Sequence, residues 1–200
     1  FALANDQFTL LFQPQIDLVT GRLAGVEALV RWIHPRRGIV MPADFVPTAE
    51  ASGRILPLGE WILRRACLQG VRWRGTVLDG LTISVNMSPL QLQSPDFASS
   101  VRGILAETGF PPERLVLELT ESALVRRGDP GFQGLWDLHK TGVTIAVDDF
   151  GTGYSCLAYL YDLPVNALKI DQSFVGAVPG HKGAEAIVAL ATEHMVQAIM

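Results

Sequence analysis

The sequence predicts an α/β fold whose parallel strands close into a βα barrel of the TIM type. Short runs rich in Val, Ile and Leu alternate with longer segments whose apolar residues recur at helical spacing. Strands that are apolar along their length are typical of a parallel sheet covered on both faces, and their alternation with helices is typical of βα units. The chain has 200 residues, 48% of them hydrophobic, and no linker-like stretch, so we interpret residues 1–200 as one domain.

Turn residues and helix breakers separate seven predicted strands, which cover residues 8–13, 24–32, 82–86, 115–120, 143–148, 167–170 and 196–200. Helices are predicted to begin at Pro42 and Pro57, because proline suits the first turn of a helix. Further helices are predicted over residues 97–108, 132–140, 154–161 and 184–194, and Gly109 and Gly142 end two of them. We interpret all seven strands as members of the parallel barrel. A complete eightfold barrel typically takes roughly 250 residues, so its last unit is expected beyond Met200.

Composition and charge argue against several classes of protein. The formal net charge is −4 and 18% of the residues are charged, so the basic face of a nucleic-acid polymer binder is not expected. No apolar run approaches the roughly 18 residues of a membrane span. Cys67 and Cys156 match no metal-binding spacing and are interpreted as free thiols in a reducing compartment. We expect a cytoplasmic domain without membrane contact, and membrane attachment of a longer parent protein is left open.

Polar side chains gather at the ends of the predicted strands. In chain order they are Glu27, Asn86, Glu118, Asp148, Asp149, Lys169 and Asp171. In a βα barrel the carboxyl ends of the parallel strands converge on one face, where active sites are built. We therefore expect these side chains to form a single site.

The donor atoms of this set indicate a divalent cation. Four carboxylates, those of Glu27, Glu118, Asp148 and Asp149, and the Asn86 carboxamide offer oxygen, without sulfur or imidazole, and this suits Mg²⁺ or Mn²⁺. The neighbouring Asp148 and Asp149 favour a pair of metals about 3.5–4 Å apart, an arrangement that assists phosphodiester hydrolysis. Lys169, if it faces such a cluster, is suited to holding or polarising a water molecule.

Each of these residues also has an ordinary structural interpretation. Taken singly, Glu27 is more often found at a sheet edge or in a salt bridge, and Asn86 in a turn or a helix cap. Asp148 and Asp149 could cap a following helix, and Lys169 could face solvent. Five oxygen donors at corresponding strand ends together indicate a site.

Seven short sequence blocks follow one another along nearly the whole chain, at residues 12–16, 27–32, 42–47, 84–88 (with Gln91), 117–122, 148–155 and 168–171. The second block begins with Glu27-Ala28-Leu29. In this order the blocks resemble those of the EAL-domain cyclic di-GMP phosphodiesterases, a family named after that tripeptide. The tripeptide alone carries little information, whereas seven ordered blocks are highly specific.

The resemblance implies a role for each candidate residue. The positions that match ligands of a first metal are Glu27, Asn86, Glu118 and Asp148. Asp148 would also bridge to a second metal, bound in addition by Asp149. Lys169 matches the lysine that positions the nucleophilic water. We take Lys169 and Glu27 as the catalytic residues.

The resemblance also implies contacts with the substrate and with a loop. Gln13, Arg31 and Asp171 are assigned to substrate binding, and the fixed donors of the Arg31 guanidinium suit a phosphate. Glu121 matches a glutamate that anchors the loop at residues 149–153, whose glycines permit tight backbone turns.

The function implied by the resemblance is hydrolysis of cyclic di-GMP to linear pGpG by a phosphodiesterase that requires Mg²⁺ or Mn²⁺. One alternative is a receptor of the same fold that binds cyclic di-GMP without cleaving it. A second is an unrelated metal-dependent barrel hydrolase. The ligand positions up to residue 200 are intact, which favours the enzyme. Flanking sensory or GGDEF domains are expected in the intact protein.

A homodimer is expected from one short predicted helix that is dense in large side chains, namely Tyr154, Leu157, Tyr159, Leu160 and Tyr161. A helix of this length can bury only some of them against the barrel, and the exposed remainder suggests a contact surface. The resemblance implies the same, because dimers of the family use this region.

Two departures from the family pattern stand out. Cys156 lies where the family more often has Ser. The family's seventh strand leads into an Ala-Glu-Gly-Val-Glu block, whose first Glu helps to complete the metal site, and a later Gln supports the ligand pocket. Both are expected after Met200, so we interpret the chain as this domain truncated at its C-terminus and excised from a larger signalling protein.

Overall fold

The computed structural model describes residues 2–124, 128–151, 162–176 and 180. The strands are β1 (Phe8–Ile16), β2 (Leu23–His34), β3 (Gly38–Val40), β4 (Thr82–Met87), β5 (Leu115–Thr120), β6 (Thr144–Phe150) and β7 (Ala167–Ile170). The α-helices are α1 (Pro42–Ala51), α2 (Ile55–Arg72), α3 (Pro89–Leu92), α4 (Phe97–Thr108), α5 (Pro130–Lys140) and α6 (Gln172–Gly176). Short 3-10 helices cover Leu3–Asn5, Pro112–Arg114 and Glu121–Ala123.

The strands form one sheet in the order β1-β2-β4-β5-β6-β7, with β3 paired to β2. Strands β2, β4, β5, β6 and β7 run parallel to one another, whereas β3 is antiparallel to β2. Helices α2, α4 and α5 lie in the connections between successive parallel strands, as the βα units of a barrel require. The predicted elements at 154–161, 184–194 and 196–200 lie outside the described residues.

The first strand differs from the prediction. β1 runs antiparallel to β2, with Gln13 opposite Glu27 and Leu11 opposite Leu29. Only residues 17–22 connect the two strands, which suffices for a hairpin, whereas a parallel crossover takes a dozen or more residues. The interpretation of β1 as one of the parallel barrel strands was therefore wrong. The short connection was the signal in the sequence against it.

Other predicted elements agree closely with the structure. The bounds predicted for α4, β5 and β7 are confirmed, and α4 ends at Gly109 in the left-handed conformation with φ 68°. The sequence did not predict the short strand β3, because three residues are too few to show a periodic pattern. Its three residues pair with β2 through Ile33 and Ile39, so it depends on a neighbouring strand and not on local pattern.

The two faces of the sheet differ in chemistry because side chains alternate along a strand. Residues toward the helices are apolar and fully buried, among them Ile83 and Leu117. Helix α2 approaches this face closely at Gly70, where a Cβ would lie 2.3 Å from the Phe110 ring. The inner face, which is the side away from the helices, carries the polar residues of the same strands. Because side chains alternate in this way, the candidate site residues point to the inner face.

Two further expectations concern thiols and membranes. Cys67 is a buried free thiol, as predicted, and burial raises its pKa to about 12. Cys156 lies outside the described residues. Among the helices that the structure describes, none combines the length and apolarity needed to cross a bilayer.

Candidate metal and active site

The parallel register brings the predicted ligands together at the carboxyl ends of the strands. Asn86 of β4 lies beside Glu118 of β5, and Glu27 of β2 lies beside Ser84 of β4. On the other side of β5, Thr120 lies beside Asp148 of β6. Residues that are neighbours in a parallel ladder point to the same face, so these side chains share the inner face.

Lys169 of β7 is the centre of this cluster. Its Nζ lies 2.6 Å from Glu118 Oε2, 2.9 Å from Asp148 Oδ2 and 3.3 Å from Glu27 Oε2. The carboxamide of Asn86 joins the group, because its Nδ2 donates a hydrogen bond to Glu27 Oε1 at 2.7 Å. We call these five residues the acidic cluster. Lys169 is buried and does not face solvent, which contradicts its ordinary structural interpretation.

The electrostatics of the acidic cluster are dominated by an excess of negative charge. Burial raises the pKa of Glu118 to about 7; the Lys169 ammonium opposes this and the charge of Glu27 adds to it. Burial disfavours the charged form of Lys169, but the surrounding carboxylates outweigh that effect and hold its pKa above the usual range. Three carboxylates thus face one ammonium, and the excess negative charge favours a bound cation.

The residues present fit a hard divalent cation. One oxygen each from Glu27, Glu118 and Asp148 can be chosen so that all three lie within 4.8 Å of one another. Glu118 Oε1 is buried and has no hydrogen-bond partner among the described residues. A buried acceptor without a partner is costly, and a cation would satisfy it. Because Asn86 donates through Nδ2, its Oδ1 is left to act as a further oxygen ligand.

Asp149 follows the cluster at the end of β6 in an unusual backbone conformation. Its φ is 54°, in the left-handed region that only a few per cent of non-glycine residues adopt. Its backbone N–H donates to Asp148 Oδ1 at 3.0 Å. Burial raises the pKa of the Asp149 carboxyl, and the negative charges of Asp148 and Asp171 raise it further. The structure therefore places Asp149 close enough to the acidic cluster for electrostatic coupling.

The loop that begins at Asp149 is held from two sides at Gly151. Glu121 Oε2 accepts a hydrogen bond from the Gly151 N–H at 3.1 Å. Gly151 has φ 101°, and a Cβ there would lie 2.8 Å from the ring of Phe174 in α6. The contact joins the 3-10 helix after β5 to this loop. The anchoring role of Glu121 in metal binding stays a prediction.

The residues assigned to substrate binding occupy different positions. Gln13 is exposed and lies opposite Glu27, so both side chains point to the inner face. Arg31 lies four residues beyond Glu27 on the same face of β2, and its Nη1 donates to the Val30 carbonyl at 2.8 Å. Asp171 instead accepts hydrogen bonds from the N–H and hydroxyl of Ser173 at the start of α6. Its carboxylate is engaged in capping that helix.

Sequence reasoning assigned no role to Glu50 and Ser88, which form a hydrogen bond two residues after Asn86 of the acidic cluster. The Ser88 hydroxyl donates a hydrogen bond to Glu50 Oε1 at 2.6 Å. Ser88 also caps α3 in a capping box with Gln91. The pattern Ser-x-x-Gln is a recognisable sign of such a cap. No local pattern, in contrast, points to Glu50, because its partner lies 38 residues away.

The fold and this cluster define a class of protein, namely a βα-barrel domain with a carboxylate- and lysine-lined site at the carboxyl ends of its strands. The family model described as EAL domain matches residues 2–199. The chain belongs to the EAL domain family, and the predicted family and fold class are confirmed.

Several curated proteins are similar to this chain. An uncharacterized protein of Sinorhizobium fredii is 46% identical over 187 residues, which are 94% of this chain and 22% of that protein. The bifunctional diguanylate cyclase/cyclic di-GMP phosphodiesterase MucR of Pseudomonas aeruginosa is 42% identical over 191 residues, which are 94% of this chain and 27% of MucR. The chain thus spans about a quarter of the length of these relatives.

Solved structures show the same fold. The phosphodiesterase PaMucR in complex with c-di-GMP has a TM-score of 0.86 at 40% identity, over 96% of this chain and 78% of that one. The FimX EAL domain from Pseudomonas aeruginosa bound to c-di-GMP has a TM-score of 0.83 at 26% identity, over 96% of this chain and 77% of that one.

Proposed function

We propose that this chain is the catalytic domain of a metal-dependent phosphodiesterase that hydrolyses cyclic di-GMP to linear pGpG. The observation that carries the proposal is the convergence of Glu27, Glu118 and Asp148 on the Nζ of Lys169. Relatives of this chain bear the names of cyclic di-GMP phosphodiesterases, which supports the choice of substrate. No comparable observation favours a receptor that binds without cleaving.

Two cations are proposed for the site. The first would be held by Glu27, Asn86, Glu118 and Asp148, and the second by Asp148 and Asp149. When bound, Mg²⁺ or Mn²⁺ supplies positive charge that stabilises the phosphate in the transition state and makes water a better nucleophile near neutral pH. The oxygen-only donor set supports these hard cations over softer metals.

Lys169 would act on the attacking water as a hydrogen-bond donor. Its raised pKa keeps the ammonium protonated near neutral pH, so it can orient the water but cannot accept its proton. We assign proton removal to a carboxylate of the cluster, with Glu27 as the candidate: Glu118 Oε2 and Asp148 Oδ2 lie at 2.6 and 2.9 Å from Nζ and are engaged more closely by the ammonium, whereas Glu27 Oε2 lies at 3.3 Å. Lys169 and Glu27 therefore have complementary roles.

Arg31 and Gln13 are proposed to bind the dinucleotide above the acidic cluster. Both lie on the inner face of the β1–β2 hairpin, with Gln13 opposite Glu27 and Arg31 four residues further along β2. Arg31 can offer paired donors to a phosphate once its contact with the Val30 carbonyl is exchanged. The proposed role of Asp171 is weaker in the structure, because Ser173 already occupies its carboxylate.

The proposal is tested by measuring pGpG formation by the full-length protein in different cations. Mg²⁺ or Mn²⁺ should support turnover, and a chelator should abolish it. Ca²⁺ should bind without supporting turnover, because its larger radius and looser coordination spoil the geometry of attack. Glu118→Gln, which keeps the shape and removes the charge, should behave like the chelated protein.

Two results would contradict the proposal. Full turnover in chelator would exclude metal dependence. Tight binding of cyclic di-GMP without cleavage in both Mg²⁺ and Mn²⁺ would instead identify the domain as a receptor.

A further inference from the structure

We infer that Glu50 is a positioning residue for the metal site, which acts through Ser88 on Asn86. Glu50 lies in α1, outside the acidic cluster, and matches none of the ligand positions discussed above. The inference rests on the proposed function, because Asn86 is a proposed metal ligand. It adds a residue that would control metal affinity without touching metal or substrate.

The first observation is the hydrogen bond between the two helix-associated residues. The Ser88 hydroxyl donates to Glu50 Oε1 at 2.6 Å, within the short range typical of a hydroxyl paired with a carboxylate. Ser88 is 9% exposed, so water competes little for this bond. Glu50 thereby ties the last turn of α1 to the residue that follows β4.

Ser88 also contacts α3 directly and, through Gln91, is linked to α2. Its hydroxyl oxygen accepts from the Leu90 N–H at 3.3 Å, and its own N–H donates to Gln91 Oε1 at 3.1 Å. Gln91 fits tightly against Gly59 of α2, where a Cβ would lie 2.1 Å from its Nε2. Ser88 is therefore a junction between three helices and the end of β4.

Asn86 lies two residues before this junction. Its side chain is oriented at one end by Glu27, which accepts from its Nδ2. Its backbone lies in the last part of the β4–β5 ladder, where Met87 is the final paired residue. Beyond Met87 the strand is positioned by Ser88, so the Ser88 contacts determine how firmly the Asn86 carboxamide is held.

Loss of the Glu50 carboxylate would leave the Ser88 hydroxyl without its acceptor and let the end of β4 shift. Metal sites tolerate displacements of only about 0.5 Å in their ligands. Loss of a group that supports a ligand typically lowers metal affinity by about 10–100-fold. A residue of purely structural importance would lower the melting temperature without this loss of metal affinity.

The chain offers a matched control in a second Glu–Ser pair. Ser100 of α4 donates to Glu60 Oε1 of α2 at 2.8 Å. This pair joins two helices, and neither residue lies on a strand that carries a proposed metal ligand. Glu60→Ala therefore removes a hydrogen bond of the same type, in a more exposed setting, without acting on Asn86.

The experiment measures Mn²⁺ binding to the full-length protein by electron paramagnetic resonance, and Glu118→Gln identifies the signal from the acidic cluster. Glu50→Ala should weaken Mn²⁺ binding about 10-fold or more. Glu50→Gln should restore near-wild-type affinity, because its amide oxygen can still accept from Ser88. Glu60→Ala should bind Mn²⁺ like the wild type, and the melting temperatures of both variants show whether a loss of Mn²⁺ affinity merely follows a loss of stability.

The route through Asn86 is tested by combining variants. In an Asn86→Ala background, Glu50→Ala should weaken Mn²⁺ binding little further; a full additional loss would overturn the proposed route. If Glu50→Ala does not fold, the same test compares Glu50→Asp with Glu60→Asp, in which the side chain that carries the acceptor is one methylene shorter. If the Glu50 variant and the matched Glu60 variant bind Mn²⁺ with equal affinity, the inference is overturned and the proposed function is not. Wild-type protein without an Mn²⁺ signal from the cluster would overturn the proposed function and the inference together.

Discussion

Lys169 is both buried and charged, a combination that costs desolvation free energy inside a protein. It is 9% exposed, yet it carries a charge and contacts three carboxylates that lie on three different strands. A buried ammonium persists only when neighbouring negative charge compensates its desolvation. Removal of the lysine would leave three carboxylates facing one another without a counter-charge, so its role in the reaction is tested by measuring binding and turnover separately.

Lys169→Ala should lower turnover by about 10²-fold or more, the size of loss expected when a reacting group is no longer held in position. Nucleotide affinity should stay close to that of the wild type, because the proposed partner of Lys169 is the water. Turnover is measured as pGpG formation in Mg²⁺, and affinity by calorimetry in Ca²⁺, where cleavage is not expected.

Lys140→Ala provides the matched control for this variant. Lys140 is an exposed lysine of α5 whose Nζ lies 3.9 Å from Asp137, remote from the acidic cluster. Its replacement should change neither turnover nor nucleotide affinity. Near-normal turnover in Lys169→Ala would show that the lysine serves the fold and not the reaction.

At the scale of elements, the distance between α2 and the sheet depends on glycine at position 70. A Cβ there would lie 2.3 Å from Phe110 and 2.7 Å from Ile83, both in the buried core. Gly70→Ala should therefore reduce the free energy of unfolding by about 1–3 kcal/mol, as is usual for an overpacked core. Denaturant titration measures this change.

Gly103→Ala should have the opposite effect in the neighbouring helix α4. No atom lies within 4 Å of a Cβ built at Gly103. Alanine should increase the free energy of unfolding by about 0.5–1 kcal/mol, because it restricts the unfolded chain without a clash. A Gly70→Ala protein as stable as Gly103→Ala would show that helix α2 can move away from the sheet without cost.

At the scale of the whole molecule, we expect a homodimer formed through the region of residues 154–161. Its large side chains lie outside the described residues, so the prediction rests on the sequence and on the family resemblance. Tyr159→Glu or Leu160→Glu should shift the full-length protein toward monomer, because a buried carboxylate at an apolar contact is costly. Activity should decrease together with association, since residues 154–161 follow Asp149 closely in the sequence.

Light scattering combined with the product assay measures both effects. Val77→Glu is the control, because Val77 is 98% exposed in the turn region between α2 and β4, far along the chain from residues 154–161, and its replacement should leave association unchanged. A monomeric variant with full turnover would contradict the coupling between association and activity. A wild-type monomer at high concentration would exclude the dimer.

The whole site depends on contacts between residues that are far apart in the chain. Glu27 and Lys169, which are 142 residues apart, are brought within 3.3 Å by the order of the strands. The sequence alone determined the fold class, because apolar strands and amphipathic helices alternate in a pattern that each segment carries locally. It also determined the donor chemistry, since the residue types at the strand ends suit one kind of cation.

Only the tertiary structure decided which of those groups meet. It placed Lys169 at the centre of the carboxylates, engaged Asp171 in a helix cap and turned β1 antiparallel to its neighbour. It also joined Glu50 to Ser88 across two helices. The physical reason is that periodicity is a property of one segment, whereas a hydrogen bond of 2.6 Å requires several packed segments to reach their positions together.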